Sequence, residues 1–155
     1  MSDIHIRPAH WDDLPHILHQ RRAMFAEIGC RDEAALDGME KATELYLRNA
    51  LNAGTYRAWM AETADGKVVS GGGVAIVPWP GSPEFPANHR GWILGIYTEP
   101  EYRRMGIARR IMDTILAWCR DEGYRYVSLH ASQHGRQLYE TMGFAPTNEM
   151  RLYLK

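Results

Sequence analysis

The chain is poor in cysteine: Cys30 and Cys119 are the only two in 155 residues. So few thiols cannot staple a fold, and reduced side chains are the expectation. No stretch is long and apolar enough to span a bilayer, and the first residues carry no apolar signal core. The expectation is a cytoplasmic protein with no membrane partner. Charge of one sign is not in excess either. The 18 Lys and Arg meet 19 Asp and Glu, for a formal net charge of −1. That balance weighs against a dedicated nucleic-acid binder, so no nucleic acid is expected as a partner. There is no low-complexity tract and no internal repeat. His10, His16 and His19 lie close in sequence, but no cysteine or carboxylate completes a recognisable ligand set, and no metal is expected. The common nucleotide signatures are missing as well. No Lys-Ser or Lys-Thr follows a glycine to make a phosphate loop, and Gly-x-Gly-x-x-Gly does not occur.

What is present is a 45% hydrophobic chain, enough for one sizeable core, and residues 1–155 read as a single domain. The stretch around which it is organised runs from Trp92 to Cys119. Trp92, Ile93, Leu94, Ile96 and Tyr97 form a short apolar and aromatic run between Gly91 and Pro100, which reads as a strand. Ile107, Ile111, Ile115 and Trp118 then repeat at helical spacing, with Gly123 as a stop. Between the two lies Arg103-Arg104-Met105-Gly106-Ile107-Ala108. A strand that turns through a glycine into a helix leaves the first helical N–H groups without partners, and the helix dipole adds partial positive charge there. Such a terminus suits an anion, and phosphate is the usual one. Gly106 lets a ligand approach the backbone, and Arg103 and Arg104 add formal charge.

Arg103, Gly106 and Ala108, in that order between strand and amphipathic helix, resemble the acetyl-coenzyme A signature of the GCN5-related N-acetyltransferases (GNAT). Thr98-Glu99-Pro100-Glu101-Tyr102 resembles that family's approach to the loop. A second resemblance lies in Ala131-Ser132, Leu138-Tyr139-Glu140 and Gly143-Phe144-Ala145-Pro146. The likeness is strong from Trp92 to Phe144 and weak before Gly54.

The remaining elements read in order. Ile4 to Arg7 is a short strand. A helix starts near Asp12 or Asp13, with Pro15 in its first turn, and ends at Gly29. A second runs from about Asp32 to Leu51 and stops at Gly54. Tyr56–Glu62 and Lys67–Val77 form a hairpin around Asp65-Gly66. Gly71-Gly72-Gly73 inside the returning strand suggests a bulge or a close backbone approach, by packing or by a ligand. The proline-stiffened loop from Pro78 to Pro86 offers Trp79 and Phe85 as candidate acceptor-lining residues. The end of the first helix, Arg22 to Gly29, is a further candidate. Tyr124–Ala131 reads as a strand, Ser132 caps a helix reaching Gly143, and Met150–Lys155 reads as a last strand.

The resemblance implies an α/β fold of the GNAT type: a mixed, mostly antiparallel sheet of six to seven strands flanked by helices and splayed between strands 4 and 5. It implies acetyl-CoA as cosubstrate, with the backbone of Ile96, Tyr97 and Thr98 along the pantetheine arm. The N–H groups of Arg104, Met105, Gly106, Ile107, Ala108 and Arg109 would hold the pyrophosphate, with Arg103 beside them. Ser132 stands where many relatives have an Asn that touches the pantetheine. The implied chemistry is direct acetyl transfer to a primary amine of a small molecule or of a protein or peptide. A backbone N–H near Tyr97 would stabilise the oxyanion, and Tyr139 would protonate the departing sulfur. Relatives often dimerise, so a homodimer is allowed. Many relatives carry a carboxylate on the fourth strand, and Trp92 to Tyr97 contains none. Glu27, Glu62, Glu99 and His130 remain as candidate bases. That gap keeps a second reading open, a non-catalytic coenzyme A-binding sensor or interaction module.

Overall fold

A computed structural model describes residues 3–154. Strand β1 (Ile4–Pro8) is followed by a 3-10 turn at Trp11–Asp13 and the helices α1 (Leu14–Glu27) and α2 (Glu33–Ala53). Strands β2 (Tyr56–Thr63), β3 (Val68–Pro78) and β4 (His89–Thr98) come next, then α3 (Ile107–Asp121), β5 (Ser128–Leu129) and α4 (Arg136–Thr141). The sheet order is β1-β2-β3-β4-β5, antiparallel except for the parallel pair β4-β5.

Helices cover both faces. On one side α1 and α2 bury Leu14, Ile17, Leu47 and Ala50 against Tyr56, Met60 and Ala75. On the other, Ile107, Ile111, Met112 and Ile115 of α3 pack on Trp59, Val69, Val74 and Ile93. The alternation of β4 follows from this: Ile93 faces α3, while Trp92 and Leu94 face α1 and α2. Asp32 caps α2 by accepting from the Ala35 N–H at 3.1 Å, and Gly54 closes it in a left-handed conformation at φ 75°. Asp13 does not cap α1 through its side chain. Its carboxylate accepts instead from Arg7 and from the His10 N–H, holding β1 to the turn that follows. Burial resists ionisation of Asp13, but the hydrogen bonds from Arg7 and His10 outweigh it and hold its carboxyl below the usual range.

The glycine run at 71–73 is a packing device. A Cβ at Gly71 would lie 2.5 Å from Gln20 Oε1, and one at Gly73 would lie 2.7 Å from the Arg57 carbonyl. The bulge falls on the neighbouring strand. Gly71 pairs with Tyr97 and Gly73 with Leu94, so Gly72 alone stands opposite Gly95 and Ile96. Gly95 carries the extra residue at φ 73°, and such an insertion bends its strand.

Three expectations are corrected. The sheet has five strands, not six to seven. The strand expected over Tyr124–Ala131 pairs only at Trp92↔Ser128 and Ile93↔Leu129, and the bulge of β4 falls just beyond the last of these pairs. Met150–Leu154 forms no strand, and Lys155 lies outside the described residues. This tail keeps the alternating pattern of a strand but meets no partner edge. Met150, Leu152, Tyr153 and Leu154 stay 94%, 82%, 81% and 88% exposed.

Candidate active site

The sheet opens where β4 and β5 part. Beyond Ile93 and Leu129 the two strands share no pairing, so Leu94 to Thr98 run along an open edge. The chain then turns through Pro100–Tyr102 and reaches α3 at Ile107, with Gly106 as its N-cap at φ 77°. No side chain caps this helix. Among the described residues, the backbone N–H groups from Arg104 to Arg109 find no protein acceptor, while Arg110 N–H bonds the Gly106 carbonyl at 3.1 Å. Arg104, at φ 62°, is the one described non-glycine residue in the left-handed region. Left-handed residues at 104 and 106 curl the loop, and such turns gather N–H groups around an anion. A Cβ built on Gly106 meets nothing within 4 Å, so the cradle is open. These features fit a pyrophosphate.

Arg103 does something different. Its own N–H bonds the Pro100 carbonyl, its Nε donates to the Thr98 carbonyl at 2.8 Å, and its guanidinium reaches Glu27 at 2.7 Å. It also stacks over the Tyr97 ring at 5.5 Å. Arg103 thus straps the end of α1 to the loop. Of the three expected backbone partners on β4, Tyr97 turns its carbonyl to Ser70 Oγ at 2.7 Å, and Thr98 gives its carbonyl to Arg103. Ile96 sits in the bulge.

Tyr139 lies in α4 on the α3 side of the sheet, 8% exposed, with its ring 5.9 Å from Phe144. Gly135 makes room for that ring, since a Cβ there would sit 3.1 Å from the hydroxyl. The hydroxyl has no hydrogen-bond partner among the described residues, and burial pushes its pKa above the ordinary value. Ser132 turns its hydroxyl to the Gly135 N–H at 3.1 Å, capping the turn before α4 rather than the helix itself.

The four candidate bases all hold partners. Glu27 pairs with Arg103, Glu62 with Arg7 at 3.0 Å, and His130 with Glu149. Glu99 takes His19 at 2.7 Å and accepts from the Tyr97 hydroxyl at 3.4 Å. His19 is the open member of that pair, with its side chain 61% exposed. Phe85, expected to line the acceptor pocket, is instead buried against His89, Tyr124 and Tyr126. Trp79 is half-exposed, over Arg90.

One cluster escaped the sequence reading. Arg90 and Trp92 on β4, and Tyr126 and His130 flanking β5, meet on the α1/α2 face. The parallel register Trp92↔Ser128 brings the two alternating rows together. His130 lies 4.7 Å from Trp92, ring to ring, and Arg90 sits 5.8 Å from the Tyr126 ring. Its signal was a period-2 pattern on each strand, visible only once the register is known. Among the described residues, no group of three His, Cys, Asp or Glu could hold a metal ion, and no helix is long and apolar enough to cross a membrane.

The model of the Acetyltransferase (GNAT) family matches residues 19–144. A GCN5-related N-acetyltransferase from Ralstonia eutropha JMP134 shares 34% identity, with a TM-score of 0.91 over 98% of this chain and 99% of that one. A predicted acetyltransferase from Clostridium acetobutylicum, solved with acetyl-CoA, is 24% identical, with a TM-score of 0.88 over 99% of this chain and 96% of its own. Human N-acetyltransferase 8 is 33% identical over 94 residues, 59% of this chain, and the match spans 39% of that protein's length. The chain belongs to the GNAT acetyltransferase family, and its splayed sheet with unpartnered amides beside the gap is a member's architecture.

Proposed function

We propose that the chain moves an acetyl group from acetyl-CoA directly to a primary amine of a small molecule or of a protein or peptide. The observation that carries this reading is the row of unpartnered N–H groups from Arg104 to Arg109, set where the open edge of β4 ends. When bound, acetyl-CoA supplies an activated thioester acyl group. The Arg104–Arg109 amides hold its pyrophosphate, and a backbone N–H in the Ile96–Thr98 stretch stabilises negative charge at the reacting carbonyl. Tyr139 donates a proton to the departing sulfur. The His19–Glu99 pair, open to water on the α1 side, receives the proton that the acceptor ammonium must lose.

The test is release of free thiol from acetyl-CoA across a panel of amines. The protein's own thiols, Cys30 and the buried Cys119, react whatever amine is present, so the amine-dependent part of the release is the signal. Amine-dependent release is expected. Tight coenzyme binding without turnover on any amine would instead assign the sensor or interaction module, a reading favoured by the missing carboxylate on Trp92–Tyr97.

The open tail supports a homodimer. Met150, Leu152 and Leu154 alternate in sequence along an exposed segment that its own sheet leaves unpaired, and such a segment gains main-chain hydrogen bonds by joining another copy's edge. Light scattering should give twice the chain mass, and the double variant Leu152→Ser/Leu154→Ser should give the monomer. A monomeric parent chain removes the proposal.

A further inference from the structure

The cluster around Arg90 has a charge that no described residue answers. The guanidinium lies 4.5 Å from the Trp79 ring, 5.7 Å from Trp92 and 5.8 Å from Tyr126. Its one side-chain hydrogen bond reaches the Tyr126 hydroxyl at 3.5 Å, and its Nε is buried with no partner. No described carboxylate pairs with it. Glu149, which meets the cluster through His130, is already shared between His130 and Arg151. Aromatic faces attract a cation but leave its N–H donors unsatisfied. A buried donor without an acceptor is costly, and a carboxylate is the group that fits the guanidinium fork best. Arg21 repeats the pattern from α1. Its guanidinium lies over Phe25 at 5.1 Å, and its Nε is likewise buried and unpartnered. Two uncompensated guanidiniums on this face disfavour a polycationic acceptor and favour one that brings a negative charge.

Position sets the spacing. Arg90, Trp92 and Leu94 share the α1/α2 face and lead along β4 toward the gap that opens beyond Ile93. That opening begins about 10 Å along the strand from Arg90, and the Ile96–Thr98 backbone assigned to the reacting carbonyl starts about 20 Å from it. An acceptor whose amine meets the thioester there and whose carboxylate reaches the Arg90 side chain therefore spans roughly 15–20 Å, about an extended penta- or hexapeptide. We infer that Arg90, held among Trp79, Trp92 and Tyr126, is an acceptor subsite for the free carboxylate of a short peptide acetylated at its amino end. This inference rests on the acetyltransferase reading and narrows its substrate class.

The test pairs pentaglycine and hexaglycine with their C-terminal amides, using the full chain with acetyl-CoA. For the wild type, KM should be about 10- to 100-fold lower for the acids than for the amides, the scale of a charge-assisted hydrogen bond. Arg90→Gln should raise KM for the acids to the level of the amides and leave kcat and the amide KM in place. Calorimetry of the same peptides against the coenzyme-loaded protein gives a readout independent of turnover, and the acids should bind more tightly than the amides. Equal KM for acids and amides in an active wild type overturns the subsite while the acetyltransferase reading stands. Equal loss on both in Arg90→Gln shows that Arg90 only props the aromatic cluster, which also overturns it. Absence of turnover on every amine sinks the acetyltransferase reading, and calorimetry then decides the subsite alone.

Discussion

Tyr139→Phe should lower turnover by roughly 10- to 1,000-fold, the lower part of the usual range for a positioned proton donor. The substitution keeps the ring and removes only the hydroxyl. That hydroxyl bonds to no described residue, so its loss leaves no partner stranded inside the protein. The ring stays in its place against Phe144, with Gly135 beneath it. Melting temperature and acetyl-CoA affinity should therefore change little, and the loss should appear in kcat. The pH profile adds a second reading. Burial disfavours the charged phenolate, so the Tyr139 pKa rises above its ordinary value near 10 and the proton stays on across the working range. The wild-type rate should climb with pH as the acceptor amine deprotonates and show no fall below about pH 10. The variant should keep that rising limb at lower height. Wild-type turnover by Tyr139→Phe, where chemistry limits, would return the proton to water.

The same two segments that identify the family, Arg103–Ala108 and Leu138–Glu140, are the ones the sequence shows most plainly. Their meaning is local. A glycine before an amphipathic helix dictates bare amides whatever else the chain does, and Gly106 indeed caps α3 in the left-handed region. Helix ends were legible for the same reason, as at Asp32 and Gly54. What failed was non-local. Tyr126, Val127 and Leu129 are good strand formers, yet β5 pairs only at Ser128 and Leu129, and the bulge at Gly95 turns β4 away just past Leu129. No propensity at 124–131 can report an event at 95. Phe85 in its proline-rich loop reads as an acceptor-lining aromatic, but the loop folds it under Tyr124 and Tyr126. Arg103 reads as a cofactor-binding residue by its motif and its charge, and only the fold shows that its guanidinium also meets Glu27 and the Thr98 carbonyl. Arg90 carries no motif at all, and its interest comes from partners on another strand and another loop.

Gly106→Val should raise the coenzyme A dissociation constant while the protein stays folded. The residue sits at φ 77°, where a β-branched side chain is strained. A left-handed non-glycine residue costs roughly 1–2 kcal/mol, and β-branching adds to that. The Cβ itself meets nothing within 4 Å, so there is no clash to propagate into the core. The penalty falls instead on the loop shape that presents the Arg104–Arg109 amides. If binding requires that shape, affinity falls by the cost of restoring it plus any amide that no longer reaches its phosphate oxygen, together about 1–3 kcal/mol. That corresponds to roughly a 5- to 150-fold higher dissociation constant. Gly123, just past the other end of α3, provides the control. It is also left-handed, at φ 86°, and its Cβ direction is also open. Gly123→Val should lower the melting temperature through the same backbone strain and leave coenzyme affinity alone. Calorimetry on both variants separates the two effects. A folded Gly106→Val protein that binds coenzyme A like the parent would remove the amide row from the binding site, and an equal loss in Gly123→Val would assign the effect to general destabilisation of α3.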